Sequence, residues 1–254
     1  MRKFFIEDEL PSDLGGEFII DGSEAHHILN VLRLKVGTDI IVTSKKQIGQ
    51  AVKAEITRLE NGQITLKNKE FLANDTEPPI DIYLVQSICK GDKMDYIIQK
   101  AIELGVSGII PVFSEHCTVK YEPAKRDARV VRWQKISLEA SKQCGRFFVV
   151  PIMPIIDLKD IFSEDFYKQH SSSKKILLYE GQASVGLKEA IRNSNSSSYL
   201  LFVGPEGGYS DKEVETFKEN SIDIVTLGPR ILRAETASLA AISAIMYEHG
   251  DLGG

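Results

Sequence analysis

Two short loops near the C-terminus constrain this chain more than any other feature. Gly204-Pro205-Glu206-Gly207-Gly208 follows the apolar run Tyr199 to Val203. Leu227-Gly228-Pro229-Arg230-Ile231-Leu232-Arg233-Ala234-Glu235-Thr236-Ala237 follows Ile222 to Leu227 some twenty residues later. Each loop leads into a helix-like segment. Strand, small-residue loop and helix in succession are the signature of a parallel sheet, and ligands of such sheets sit outside the carboxyl ends of the strands. The pair of loops therefore predicts one small-molecule slot at a sheet edge, although glycines of this kind also serve as simple turn punctuation.

The same grammar extends upstream to Ile80. Predicted strands Ile80 to Ile88, Gly108 to Phe113, Ile176 to Tyr179, Tyr199 to Val203 and Ile222 to Leu227 alternate with predicted helices. The helices cover Asp92 to Leu104, Ala124 to about Cys144, Gly186 to Arg192, a stretch from Ser210, and a last one ending near Gly250. Val149 to Ile156 is a further apolar run, and Ser163 to Lys175 a polar surface excursion. Asp92 is placed as an N-cap and Gly105 just past its helix, with Met94, Ile97, Ile98, Ala101 and Leu104 as core stripe. Ser210-Asp211-Lys212-Glu213 has the form of a capping box.

Residues 1–72 read differently. Short strands at Lys3 to Ile6, Glu17 to Asp21, Asp39 to Thr43, Gln50 to Arg58 and Gln63 to Asn68 show partial alternation, with Val52, Ala54 and Ile56 set against Ala51, Lys53, Glu55 and Thr57. One helix, Ser23 to Leu34 with Ser23 as N-cap, interrupts them. This predicts a small antiparallel barrel. Residues 73–79, ending in Pro78-Pro79, form the expected linker, and residues 80–254 the α/β domain.

Composition narrows the functional classes. The 254 residues are 43% hydrophobic, sufficient for real cores, and no apolar run has the length of a membrane span. The N-terminus is too acidic and too briefly apolar for a signal peptide, and the three cysteines (Cys89, Cys117, Cys144) are dispersed. A reduced, cytoplasmic setting is expected. Net charge is −5, but His116 to Arg146 carries eight basic residues against three acids, +5 in an otherwise −10 chain. Such a local patch suits phosphate contacts, or is merely a solvated helix face.

The glycines would let a ligand meet backbone N–H and C=O groups directly, as in an adenine-and-ribose slot. G-x-G-x-x-G, the P-loop, H-E-x-x-H and G-x-S-x-G are all missing, so dinucleotide folds, P-loop NTPases, zincins and serine hydrolases find no support, and no metal is expected. Arg233 beside such a slot could steady an anion; Glu235 could equally be a helix-start acid. In Gln143-Cys144-Gly145-Arg146, Gly145 reads as a helix-ending glycine; Arg146 reads as a partner of the helix C-terminal dipole or, favoured by the basic residues upstream, an RNA-phosphate contact; and Cys144 reads as a packed thiol rather than a nucleophile, no histidine being placed beside it.

Gly91-Asp92-Lys93-Met94-Asp95-Tyr96-Ile97-Ile98-Gln99-Lys100-Ala101-Ile102-Glu103-Leu104-Gly105-Val106, Gln143 to Arg146 and the two loops occur in an order that resembles the RsmE-type 16S ribosomal RNA methyltransferases of the SPOUT class. The resemblance implies a trefoil-knotted, largely parallel α/β domain after a PUA-like RNA-binding β-barrel, and a cytoplasmic homodimer. It further implies S-adenosylmethionine as cofactor and methylation of N3 of a uridine of 16S ribosomal RNA (position 1498 in customary numbering) within the 30S subunit. Carried onto this chain, the cofactor residues would be Leu178, Tyr179, Glu180, Gly204, Pro205, Glu206, Gly207, Gly208, Leu227, Gly228, Ile231, Leu232, Arg233, Thr236 and Ala237. Arg233, Glu206 and Glu235 are the catalytic candidates, the cation for anionic charge and the carboxylates for the N3 proton. Lys93, Arg126, Arg129, Arg132 and Arg146 are the RNA-contact candidates. A cofactor-free assembly factor and a ribose 2′-O-methyltransferase remain the alternatives.

Overall fold

A computed structural model of the chain describes residues 1–181, 183 and 185–254. It divides into two compact units, Met1–Glu77 with Ser141–Val149, and Pro78–Ala140 with Val150–Gly254.

The first unit holds β1 (Lys3–Ile6), β2 (Glu17–Ile20), α1 (Gly22–His26), β3 (Asp39–Ser44), β4 (Ala51–Glu60) and β5 (Gln63–Leu72). The sheet order is β1-β3-β4-β5-β2; only the β1–β3 pair is parallel. Alternation along β4 works as its residues require, because Val52, Ala54 and Ile56 face a core shared with Phe4, Ile28, Ile40, Val42, Ile64 and Leu66. The predicted helix from Ser23 is corrected. Helix α1 starts at Gly22 after Asp21, Ser23 caps nothing, and His27–Val31 continue as a wider π-helical turn.

The domain limits also differ from those read in the sequence. The division falls at Glu77/Pro78, and Ser141–Val149 joins the first unit. Side-chain chemistry explains this. Glu77 Oε2 accepts from Arg146 Nη2 at 2.5 Å and Nε at 3.0 Å, its Oε1 accepts from Phe147 N at 3.1 Å, and Lys142 pairs with Glu24 at 2.6 Å. Lys3 donates to the carbonyls of Gly145 and Arg146 and lies 3.8 Å from the Phe147 ring centre. Burial lowers the Lys3 ammonium to about 8, against partial compensation from Cys144, Glu77 and Asp75.

The second unit contains β6 (Asp81–Ser87), α2 (Lys93–Glu103), β7 (Gly108–Phe113), β8 (Ile156–Asp157), α4 (Glu164–Gln169) and β9 (Lys174–Leu178). It continues with β10 (Val185–Gly186), α5 (Leu187–Arg192), β11 (Ser198–Val203), α6 (Asp211–Glu219), β12 (Asp223–Thr226) and α7 (Ala234–His249). Helix α3 (Pro123–Cys144) belongs to this unit up to Ala140. Seven strands form one sheet in the order β10-β12-β9-β11-β6-β7-β8, with all its strand pairs parallel.

Covered on both faces, the central strand β11 is a continuous apolar run rather than an alternating one; Tyr199 to Val203 are all buried. One face packs Val85, Ile110, Leu177, Leu200 and Phe202 against Val214 and Phe217 of α6, and the Phe217 ring meets Phe162, Phe202 and Tyr209 at 5.1–5.3 Å. On the other, Tyr199 stacks on His249 of α7, which packs against α2 and α5. The apolar run Val149 to Ile156 forms only the short β8 and a single bridge, Ile152 to Ile109. The polar excursion contains the short α4. No helix among the described residues is long and apolar enough to cross a membrane.

Candidate active site

Adjacent parallel strands β12, β9 and β11 end on the same edge of the sheet, and their following loops enclose a cavity of about 390 Å³. That is the size of a small-molecule site. Its wall runs through Leu178–Glu180, Val203–Glu206, Gly208–Tyr209, Thr226–Ala234 and Ala237, with Lys93 from the start of α2 at the rim. Of the residues expected around a cofactor, Gly207 and Thr236 lie outside this lining. The Gly207 carbonyl is turned to His116 Nδ1, 3.0 Å away, and Thr236 is exposed on α7.

The loops take their shape from local chemistry. Gly208 has φ +67°, which side-chain-bearing residues rarely adopt, closes a turn with its N–H on the Pro205 carbonyl at 3.0 Å, and lies against the Glu180 carboxylate, which a Cβ would displace. Gly228 has φ +114°, and its N–H is held by Thr226 Oγ1 at 3.2 Å. Behind the first loop, buried Gln86 donates to the carbonyls of Ser87 (3.0 Å), Val203 and Gly204 (both 3.4 Å), while its Oε1 accepts from Ser238 of α7 at 2.6 Å. Ser210 caps α6 in the predicted box, accepting from Glu213 N, while the Glu213 carboxylate accepts from Ser210 N.

Neither Gln86 nor Ser238 emerges from the sequence reading. The available signal was a polar residue inside an otherwise apolar strand, and a serine inside an apolar helix. His116 was likewise dispersed among unrelated histidines in the sequence.

Charge at the cavity is arranged around Lys93. Its ammonium lies 3.0 Å from Glu206 Oε1 and 3.8 Å from Glu235 Oε2. Glu206 Oε1 also accepts from Lys90 N at 3.2 Å. Burial works to raise the Glu206 carboxyl, but hydrogen bonds from Lys93, its own N–H and Lys90 N outweigh it and hold the group below its ordinary value. The hydrogen bond to Glu206 raises Lys93 in turn. Glu235 lies outside the lining, its Oε2 buried without a hydrogen bond. The Arg233 guanidinium is exposed at the cavity, and among the described residues it has no ion-pair or hydrogen-bond partner.

The expected RNA contacts are scattered. Lys93 belongs to the cavity. Arg126 lies over Phe113 at 4.7 Å and 3.6 Å from Asp157, and exposed Arg129 lies 5.0 Å from the Tyr121 ring. Arg132 is bound to Asp95 at 2.5 Å, whose other oxygen accepts from Trp133. Arg146 requires a correction. It is 4% exposed and its guanidinium is committed to Glu77, so it is a structural ion pair of the first unit rather than a phosphate contact. Desolvating it could be tolerated only with such a partner. Cys144 is half-buried and its thiol donates to the Ser141 carbonyl at 3.8 Å, in keeping with a packed role.

A parallel sheet with a loop-built cavity at its carboxyl edge, and ionised side chains around it, defines an α/β ligand-binding enzyme domain. Residues 76–246 match the RNA methyltransferase domain family, and residues 20–67 the RNA methyltransferase PUA domain. The ribosomal RNA small subunit methyltransferase E of Bacillus subtilis (strain 168) is 35% identical over 98% of this chain and 97% of its own. That of Buchnera aphidicola subsp. Acyrthosiphon pisum is 29% identical over 98% and 94%. A Neisseria gonorrhoeae ribosomal RNA small subunit methyltransferase E, crystallised with S-adenosyl methionine, superposes with TM-score 0.85 at 35% identity, covering 99% of each chain. The chain belongs to the ribosomal RNA small subunit methyltransferase E family, with a PUA-like domain ahead of its methyltransferase domain.

Proposed function

We propose that this protein transfers a methyl group from S-adenosylmethionine to N3 of a uridine of 16S ribosomal RNA, the position numbered 1498 by custom, in the 30S subunit. The observation that carries the reading is the cavity itself, which puts the free Arg233 guanidinium at one site with the Glu206–Lys93 pair. The residues present suit the cofactor. Gly208 and Gly228 hold positive φ that side-chain-bearing residues rarely adopt and so present bare main chain, and Leu178, Leu227, Ile231, Leu232 and Ala237 supply apolar wall. When bound, the cofactor supplies an electrophilic methyl on a sulfonium.

The chain's own residues do the rest. Leu178–Glu180, Gly204–Glu206 with Gly208, and Leu227–Ala234 with Ala237 orient the donor, and much of the acceleration comes from that alignment. As the N3–H is lost, negative charge spreads over O2 and O4 of the base, and Arg233 stabilises it. Glu206, which lines the cavity beside Lys93, accepts the proton. Held below its ordinary value it is a weak base, which makes the cation essential. Glu235 positions Lys93 from behind. Because N3 lies on the Watson–Crick edge, the uridine must be unpaired or flipped out.

The reading extends to a SPOUT-type trefoil knot through the three cofactor loops, a cytoplasmic location and a homodimer. An unpartnered face of α7 supports the dimer, with Tyr247 71% exposed, Ala240 also open, and Ile231 82% exposed just before the helix. The test is methyl transfer to 30S particles lacking the mark, followed by nucleoside mass spectrometry. N3-methyluridine is expected; ribose methylation, or no transfer with cofactor bound, overturns the assignment.

A further inference from the structure

A second cavity, of about 520 Å³, opens at the carboxyl end of β7 and beside β8, on the same sheet edge. Its cations come from four separate places in the chain: Lys120 after β7, Arg126 in α3, Lys159 after β8 and Lys212 in α6. Lys120, Lys159 and Lys212 are exposed, and among the described residues their ammonium groups have no ion-pair or hydrogen-bond partner.

The three acids in the lining are engaged internally. Glu213 accepts from Glu115 N at 2.8 Å and Ser210 N at 2.9 Å, Glu115 accepts from Ser210 Oγ at 2.7 Å, and Asp157 pairs with Arg126 at 3.6 Å. The lysines are thus left as open cations. The two cavities follow one another along one segment, since Gly208 and Tyr209 line the first and Lys212 and Glu213, in the first turn of α6, line the second.

We propose that this second cavity receives the phosphate backbone of the single-stranded RNA flanking the target nucleotide. Cations spread over four segments, around a space far larger than one phosphate, fit a chain of phosphodiesters better than a single anion. The occupied face of Phe113, beneath Arg126 at 4.7 Å, leaves backbone contact rather than base stacking as the mode of recognition. The inference rests on the RNA reading above and adds three contacts, Lys120, Lys159 and Lys212.

The test combines Lys120→Gln, Lys159→Gln and Lys212→Gln, and measures binding of a labelled single-stranded oligouridylate against salt concentration. Each lost phosphate contact flattens the log–log slope by about 0.7, so a change of about 2 is expected. Cofactor affinity, measured by calorimetry on the same sample, should be unchanged and certifies the fold. Lys→Arg at all three positions should restore the slope. An unaltered slope with intact cofactor binding overturns the proposal, as does competition by inorganic phosphate equal to that of the oligomer at matched ionic strength. Methyl transfer by the unaltered protein is read separately, so failure of the proposed reaction and failure of this contact surface give different results.

Discussion

Arg233 is the residue on which the proposed chemistry turns, and its surroundings make the role testable. An exposed guanidinium without a partner among the described residues contributes little to the fold, so Arg233→Ala should change stability by no more than about 0.5 kcal/mol. Methyl transfer should fall by about 100- to 1,000-fold, the usual effect of deleting one preorganised group that stabilises developing charge, with cofactor affinity nearly retained in calorimetry. Unchanged turnover would remove Arg233 from the mechanism. Lys93 and Glu206 allow a second test with a defined sign. Because the folded protein holds Glu206 below the ordinary carboxyl value, the pair stabilises the fold above the unfolded pKa of about 4.3, and that contribution is lost as pH falls through the folded value. Lys93→Met should move the Glu206 titration upwards, as followed by carboxyl NMR, and remove this pH dependence from acid unfolding curves; an unmoved titration would show that Lys93 does not hold the carboxylate.

At the level of elements, the segment from Gly208 into the first turn of α6 runs from one cavity to the other. Its capping box was readable from Ser210-Asp211-Lys212-Glu213, because such a cap depends on residues three apart in one chain segment. Its connection to the loop after β7 was not readable, because Glu115 and His116 meet Glu213 and Gly207 across more than ninety residues of sequence. Ser210→Ala removes the cap and the bond to Glu115 together. A loss of about 1–2 kcal/mol, or about 2–8 °C in Tm, is expected in calorimetry. Cofactor affinity should weaken with it, since the first turn of α6 adjoins the Gly204–Gly208 loop. Full stability in this variant would mean that the box is ornamental. Asp92 illustrates the opposite case. It stands at the N-cap of α2 as its position suggests, yet its side chain makes no cap bond, so a suitable residue type alone does not create the contact.

For the whole molecule, assembly is the property that most needs the tertiary arrangement. Helix α7 buries Ala241, Ile242, Ile245 and Met246 within its own unit, whereas Ala240 and Tyr247 remain open. The proposed homodimer predicts that sedimentation velocity finds two copies, and that Ala240→Glu shifts the population to single copies by burying an unpaired charge in the contact. A monomer from the unaltered chain would refute that assembly. The division into units shows the same dependence on tertiary contacts. The change from alternating strands to strand–helix alternation near Pro78-Pro79 was visible in the sequence. The return of Ser141–Val149 to the first unit was not, because Glu77 joins Arg146 across a separation of 69 residues.

Patterns confined to neighbouring residues were therefore settled by the sequence: the β-rich first part, the parallel-sheet grammar of the second, the glycine loops at two strand ends, and the helix-ending Gly105 and Gly145 with φ +93° and +86°. Hydrophobic periodicity, backbone sterics and capping act within a few residues, so one chain suffices to read them. Only the tertiary structure decided which charges meet. It buried Arg146 against Glu77, drew Lys93 into the cavity with Glu206, left Arg233 free, and gathered Lys120, Lys159 and Lys212 around a second opening. Those outcomes depend on desolvation and on distances of a few ångströms between residues remote in sequence, and no local pattern encodes them.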